Sequence, residues 1–324
     1  MVRGAMPDDT PSRARVLAVI AGGVLVVSTA SILIRWLQAA GVPSLSIAAW
    51  RLAAAALVLA PLVLAGRRDE LAALAWRDWG LAAAAGAFLA AHFATWILSL
   101  EYTSVASSVA LVTTNPIWIG IASWFLFRER LGAVMIVAIA LAIAGAAVIF
   151  LTDASDDAGP ARSPALGNGL ALLGSLAVCG YLLIGRRLRR TMSLLAYIGV
   201  VYATAAACLV LVAAAAGAPL GGFAAASWLM LAALALGPQL LGHSSLNWGL
   251  KYLSATFVAL AILGEPVGST ALAWLLLDEP VAAVKLAGLA LLLGGIFLAA
   301  RRGGSPRDPL AAGAGQGLPR SPRA

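Results

Sequence analysis

Charged side chains are scarce. Asp, Glu, Lys and Arg make up 11% of the 324 residues, against roughly a quarter in ordinary soluble chains. With 62% of the residues hydrophobic, that deficit excludes a water-soluble fold. Cysteine is rarer still: Cys179 and Cys208 both fall inside apolar runs, so no disulfide framework is available. Histidine also occurs twice, as His92 and His243 without neighbouring Cys or Asp ligands. That is no zinc pattern, so neither a metal nor a cofactor is expected. Every Asp lies outside the apolar runs or at their ends, and Glu265 has no acidic neighbour in its own run. Paired-carboxylate chemistry is thereby excluded. Ser244 adjoins His243, but adjacent helical positions do not face one another, so a serine hydrolase is not supported either. The chain is therefore not expected to be an enzyme. A channel would need rings of like charge or a filter-like repeat, and neither is present.

What remains is apolar sequence. Hydrophobic runs fall at about 16–37, 46–65, 79–100, 104–127, 131–151, 166–185, 194–216, 227–249, 254–277 and 281–300. Each is long enough for about 30 Å of hydrocarbon. The fold expected is an all-α polytopic membrane protein of ten transmembrane helices, since barrel strands would alternate polar and apolar residues. The first run follows Arg3, Arg13 and Arg15 as a signal peptide's would, but it is too long for an h-region and no small-residue cleavage site follows. It is kept as the first helix. Connections are short except at 152–165, which splits the chain near its middle, and the tail 301–324 is rich in Gly, Pro, Ala and Arg and expected to be disordered.

The net charge of +8 could suggest nucleic acid, but the basic residues sit in short loops and tails. They read instead as topology signals. Of 22 basic residues, 18 lie on the amino-terminal side of the alternating loops, only Arg35 and Arg162 on the other, and Arg51 and Lys285 within runs. The positive-inside rule then places segment 1–15 and the tail in the cytoplasm, with the chain in the cell membrane.

An internal repeat is legible without gaps. A shift of 150 residues lays 99–134 on 249–284, matching Tyr102 with Tyr252, Ser104 with Ser254, Pro116 with Pro266, Trp124 with Trp274 and Glu129 with Glu279. Leu and Ala would coincide by chance in such a composition, but Tyr, Pro, Trp and Glu in one register would not. The repeats are expected over 16–151 and 166–300, five helices each. Because five is odd, the second copy enters the membrane from the opposite face, giving an inverted repeat. That architecture belongs to secondary transporters, with the substrate site near mid-bilayer between the copies.

Ten helices in two repeats, with the paired segments NPIWIGIASWFLFRERLG and EPVGSTALAWLLLDEP, resemble the EamA-like branch of the drug/metabolite transporter superfamily over roughly residues 16–300. The resemblance implies a helical bundle in the cytoplasmic membrane that moves small organic solutes such as amino acids or other metabolites, commonly outward, as a monomer or homodimer. The alternative on the same fold is a flippase or exporter of a lipid-linked or lipophilic cationic substrate. One departure stands out: Asn115 occupies the first copy where Glu265 occupies the second.

Ionisable groups at membrane depth are costly and therefore candidates for function. Glu265 is the clearest, near the middle of its run and suited to exchange protons with the lumen. Asn115-Pro116 and Glu265-Pro266 also interrupt their helices, because proline frees a carbonyl one turn earlier; Pro116 and Pro266 are expected hinges, with Thr113 and Thr114 re-bonding carbonyls in the first copy. His92, Thr95, Trp96 and Ser99 form one helical stripe, and Gln239, His243 and Asn247 another on the repeat counterpart. His92, Trp96, Asn115, Gln239, His243 and Asn247 are therefore expected to line the substrate site. Arg51 is expected either to join them or to snorkel outward. Lys285 is expected to snorkel and Glu279 to accept loop hydrogen bonds, while Tyr181 and Tyr202 are expected chiefly to pack, with hydroxyls supplied to the same cavity as the alternative.

Overall fold

The computed structural model describes residues 11–115, 117–119, 121–122, 132–155, 163–253, 258, 261–262 and 264–303. Among them every regular element is helical. In chain order these are α1 (Arg13–Val27), α2 (Ala30–Ala39), α3 (Ser44–Gly66), α4 (Arg68–Ala72), α5 (Trp76–Ser99), α6 (Val105–Val112), α7 (Ala133–Ser155), α8 (Pro164–Leu188), α9 (Leu194–Ala215) and α10 (Ala225–Leu234). A π-helical segment, Ala235–His243, runs on from α10, and α11 (Ser244–Gly249), α12 (Gly264–Leu277) and α13 (Ala283–Gly303) complete the set.

Six stretches are long and apolar enough to cross a bilayer by length and composition: Arg13–Ala39, Ser44–Gly66, Trp76–Ser99, Pro164–Leu188, Leu194–Ala215 and Ala225–Gly249. Val105–Ile119, Ile136–Ile149 and Ala283–Gly295 are shorter apolar helices. Leucines such as Leu62, Leu211 and Leu229 lie exposed on the bundle's outside, an arrangement costly in water and natural against lipid.

Helix ends follow familiar chemistry. Ser104 and Ser193 cap α6 and α9 by accepting from the amides of Ser107 and Ala196, both at 3.2 Å. Gly41 and Gly217 take positive φ just past α2 and α9, where the amides of Val42 and Ala218 reach back to the carbonyls of Leu37 and Ala213. Between α1 and α2 the helix breaks, and two side chains take up freed carbonyls: Ser28 Oγ donates to Val24 O (2.9 Å) and Thr29 Oγ1 to Val26 O (2.8 Å).

The expected interruption of the fourth run is visible at α6. Regular helix stops at Val112; Thr113 Oγ1 donates to the carbonyls of Val109 (2.7 Å) and Ala110 (3.0 Å), and Thr114 Oγ1 to Leu111 (2.7 Å). Pro116, the expected hinge, lies outside the described residues. In the second copy α12 begins at Gly264, so Glu265 and Pro266 occupy its first turn, where proline's missing N–H costs no helical bond.

Small residues set the packing. Membrane helices gain no hydrophobic drive from each other, so close approach at Gly and Ala supplies the contact. A Cβ on Gly145 of α7 would come within 2.5 Å of Gly288 O and Leu292 N of α13. Reciprocally, one on Gly295 would come within 2.6 Å of Ala138 O and 2.8 Å of Ala142 N. The partners are related by the 150-residue shift, 145 to 295, 138 to 288 and 142 to 292, and they run in opposite senses, so the two helices are antiparallel. A near relative of this pairing recurs elsewhere: Gly174 of α8 faces His92 O and Thr95 of α5, and Gly23 of α1 faces Gly242 O and Ser245.

Candidate functional site

Polar side chains from both halves meet around the Phe93 ring. Arg51 projects from α3 and is fully buried, which excludes the snorkelling alternative. Its guanidinium carbon lies 4.1 Å from the centre of Phe93 and 5.8 Å from that of Trp96. Nε donates to Gln239 Oε1 at 2.8 Å, while Nη1 and Nη2 have no hydrogen-bond partner in the protein. Trp96 Nε1 is likewise buried without a partner among the described residues, and Gln239 Nε2 has only a long contact, with the Tyr202 hydroxyl. The face of an aromatic ring attracts a cation, so Phe93 holds the guanidinium from one side while its donor edge stays free.

The two histidines flank the same ring. His92 lies 4.8 Å and His243 5.3 Å from Phe93, centre to centre. His92 also stacks on Trp96, with 12° between planes and 6.0 Å between centres. Its Nδ1 sits 3.0 Å from Gly174 O, and since a carbonyl only accepts, that nitrogen carries the proton; Nε2 of the neutral ring is then an acceptor.

Beside this group runs a hydroxyl and amide chain. Tyr181 OH donates to Asn247 Oδ1 (2.5 Å), Asn247 Nδ2 donates to Tyr202 OH (3.3 Å), and Tyr202 OH lies 3.5 Å from Ser244 Oγ. Of the two roles expected for these tyrosines, packing ahead of supplying hydroxyls, the second is the one observed, because a phenol at membrane depth needs a partner. Glu265 is also buried and makes no hydrogen bond or ion pair with a described side chain. It interacts electrostatically with Arg51, but no contact of 4.0 Å or less joins them. Its own amide donates to Ile262 O at 2.8 Å, and its place in the first turn of α12 puts the carboxylate at the positive end of the helix dipole.

Of the residues expected to line the site, Arg51, His92, Trp96, Gln239, His243 and Asn247 are brought together, and Glu265 reaches the group through its electrostatic interaction with Arg51. Asn115 is not among their contacts. It is buried against α8, its backbone carbonyl accepting from Cys179 Sγ (3.4 Å) and its Oδ1 without a protein partner. Pro266 is buried behind Glu265. Phe93, the hub, was missed because an aromatic beside His92 reads as filler. The π segment was missed too, although Pro238 within the eighth run signalled it; wide turns of this kind recur at functional sites. Among the described residues no three His, Cys, Asp or Glu side chains gather as metal ligands.

At one end of the bundle, side chains tie the halves together. Arg35 of α2 contacts Glu279 Oε1 through Nη2 (2.8 Å) and Nε (3.2 Å), and its Nη1 donates to Leu100 O (2.6 Å). Glu279 Oε2 accepts the Val105 amide (3.0 Å). Nearby, Ser46 and Trp50 donate to the carbonyls of Pro219 (2.7 Å) and Leu220 (2.8 Å). Lys285, expected to reach into water, is buried and bonded to Ser104 Oγ (3.3 Å); a loop hydroxyl at hand spares the ammonium its exit to solvent. Replacing Glu279 with Ala strands the Arg35 guanidinium and the α6 amide, which at this partial exposure should lower stability by about 1–2 kcal/mol. The melting temperature in detergent would register it, and an unchanged value would mean the tie contributes nothing.

The EamA-like transporter family profile matches residues 14–151 and again 165–301. The chain belongs to that family. This EamA-like protein is accordingly a multi-pass membrane transporter of the drug/metabolite transporter superfamily. A crystal structure 23% identical to it, covered over 100% of its own length and 91% of this chain, superposes with a TM-score of 0.65, a likeness of fold. No curated protein matches.

Proposed function

We propose that this EamA-like chain is a secondary active transporter that exports small organic solutes, such as amino acids or related metabolites, by alternating access. Ten spans are arranged as two inverted five-helix repeats, 16–151 and 166–300, with both termini cytoplasmic in the cell membrane. The observation that carries this reading is the buried cluster around Phe93, to which the first repeat contributes Arg51, His92 and Trp96 and the second Gln239 and His243, with the buried Glu265 within electrostatic reach of Arg51. A polar cluster at membrane depth between two repeats is where a transporter holds its cargo. The reciprocal packing of Gly145 and Gly295 supports the inversion, because an axis lying in the membrane plane exchanges antiparallel partners. The ties from Arg35, Ser46 and Trp50 support a state closed at the outer side. Glu265 serves as the coupling carboxylate, trading a proton for the cationic part of the solute.

Single cysteines in a Cys-free background test the topology. Positions Tyr102 and Ala218 should react with an impermeant maleimide in intact cells, and Thr191 only after lysis; the opposite pattern overturns the orientation. Counterflow of a radiolabelled amino-acid mixture in proteoliposomes tests transport itself. Movement confined to a lipid-linked sugar or a lipophilic cation would favour the flippase alternative.

A further inference from the structure

We infer that Arg51, Gln239 and Trp96 form a subsite for a carboxylate, so that the transported solute carries one; this deepens the transporter reading and rests on it. Three buried donor nitrogens have no hydrogen-bond partner among the described residues, Arg51 Nη1, Arg51 Nη2 and Trp96 Nε1, and a fourth, Gln239 Nε2, has only a long contact with the Tyr202 hydroxyl. They belong to one neighbourhood. Gln239 Nε2 shares its amide with the oxygen that accepts from Arg51 Nε at 2.8 Å, and the Trp96 ring lies 5.8 Å from the guanidinium carbon. Unsatisfied buried donors are costly, and a group of them around one cation asks for an anion with several lone pairs.

Geometry narrows the anion. The Nε edge of the guanidinium is taken by Gln239 and its carbon sits against Phe93. The paired Nη1 and Nη2 hydrogens are left as a planar fork, whose natural partner is the planar, two-oxygen carboxylate. The protein's own carboxylate, Glu265, is near enough to feel Arg51 yet forms no ion pair with it. It therefore does not fill the fork in this arrangement. His92 offers its Nε2 lone pair at the Trp96 face, an acceptor beside the donors, which suits a solute with a donor group next to its carboxylate.

Matched acids and amides test the subsite on the purified full-length protein in detergent: L-leucine against L-leucinamide, L-phenylalanine against L-phenylalaninamide, hexanoate against hexanamide, with inorganic phosphate and sulfate alongside. At least one acid should raise the melting temperature in a saturable way, and its amide should need at least tenfold more for the same shift. Arg51→Lys keeps the charge but not the fork, and should weaken the acid at least tenfold. Trp96→Phe keeps the ring and loses one donor, with an expected three- to tenfold weakening. Gln239→Glu sets a fixed carboxylate against Arg51 and should remove the shift even if Arg51 variants fail to fold. Amides as effective as acids, a response to phosphate or sulfate alone, no response to any acid, or an undiminished response in both Trp96→Phe and Gln239→Glu would each overturn the subsite. Counterflow of an amine or amide that is insensitive to residue 51 would overturn the carboxylate while leaving transport standing. Only absence of any flux would count against the transporter reading.

Discussion

Glu265→Gln should abolish accumulation driven by a pH gradient while leaving downhill exchange in place. The substitution keeps the shape of the side chain and the turn around Pro266, so the start of α12 at Gly264 should survive. What it removes is the carboxylate that, among the described residues, interacts electrostatically with Arg51. A carrier couples two flows only if the empty, uncompensated site reorients slowly. Here that restraint comes from a buried carboxylate with no described partner beside the fully buried Arg51. With Gln at the position, the Arg51 charge stands without a carboxylate that protonation can switch, so a proton on residue 265 no longer decides whether the site can return. The assay is solute accumulation in proteoliposomes with and without a pH gradient, for parent and mutant. Accumulation that persists in Glu265→Gln would remove this residue as the coupling site. A parent indifferent to the gradient would make the protein a facilitator, with Glu265 holding the helix break. His92 and His243 are the other titratable groups facing the cluster, so the same assay on His92→Gln separates their contribution.

Much of this was legible from residue type and spacing. Hydropathy alone marked Ser44–Gly66 and Leu194–Ala215 to within two residues, because the bilayer fixes both the length and the polarity of a span. The carbonyl bonding by Thr113 and Thr114 after Val112 was legible too, since a threonine hydroxyl reaches the preceding turn without tertiary help. The polar stripe on the third run pointed at His92 and Trp96 correctly as neighbours, because a helix period needs no tertiary information. Arg35 with Glu279 was beyond reach: the two are 244 residues apart in sequence, and only the fold brings α2 against the turn that follows α12. The same holds for Phe93. Its importance comes from Arg51 and His243 arriving on either side of it, from helices whose sequences say nothing of their partners. The π segment lies between these cases. Pro238 flags a disturbed helix, but a kink and a wide turn share that signal.

The second large effect concerns the pairing of α7 with α13. Gly145→Ala and Gly295→Ala should each destabilise the protein by about 1–3 kcal/mol, and by similar amounts. At both positions the obstruction is backbone: Gly288 O and Leu292 N at 2.5 Å from the new Cβ in one case, Ala138 O at 2.6 Å in the other. Backbone atoms cannot swing away as a flexible side chain does, so the helices must separate and lose dispersion contacts along their whole interface. Against this stands only the gain from replacing glycine inside a helix, about 1 kcal/mol at most. Gly294→Ala is the control, because its Cβ would meet nothing within 4 Å; it should be neutral or stabilising. The comparison of 145 with 295 carries more than the magnitude. If the helices are related by a two-fold axis in the membrane plane, each glycine meets the other helix at the counterpart of the same spot, and two substitutions so far apart in sequence should cost alike. Melting of the three variants in one detergent would decide it. Equal losses at 145 and 295 with none at 294 fit the symmetric pair, whereas a loss at only one of the two glycines would mean that the reciprocal contact does not carry the interface.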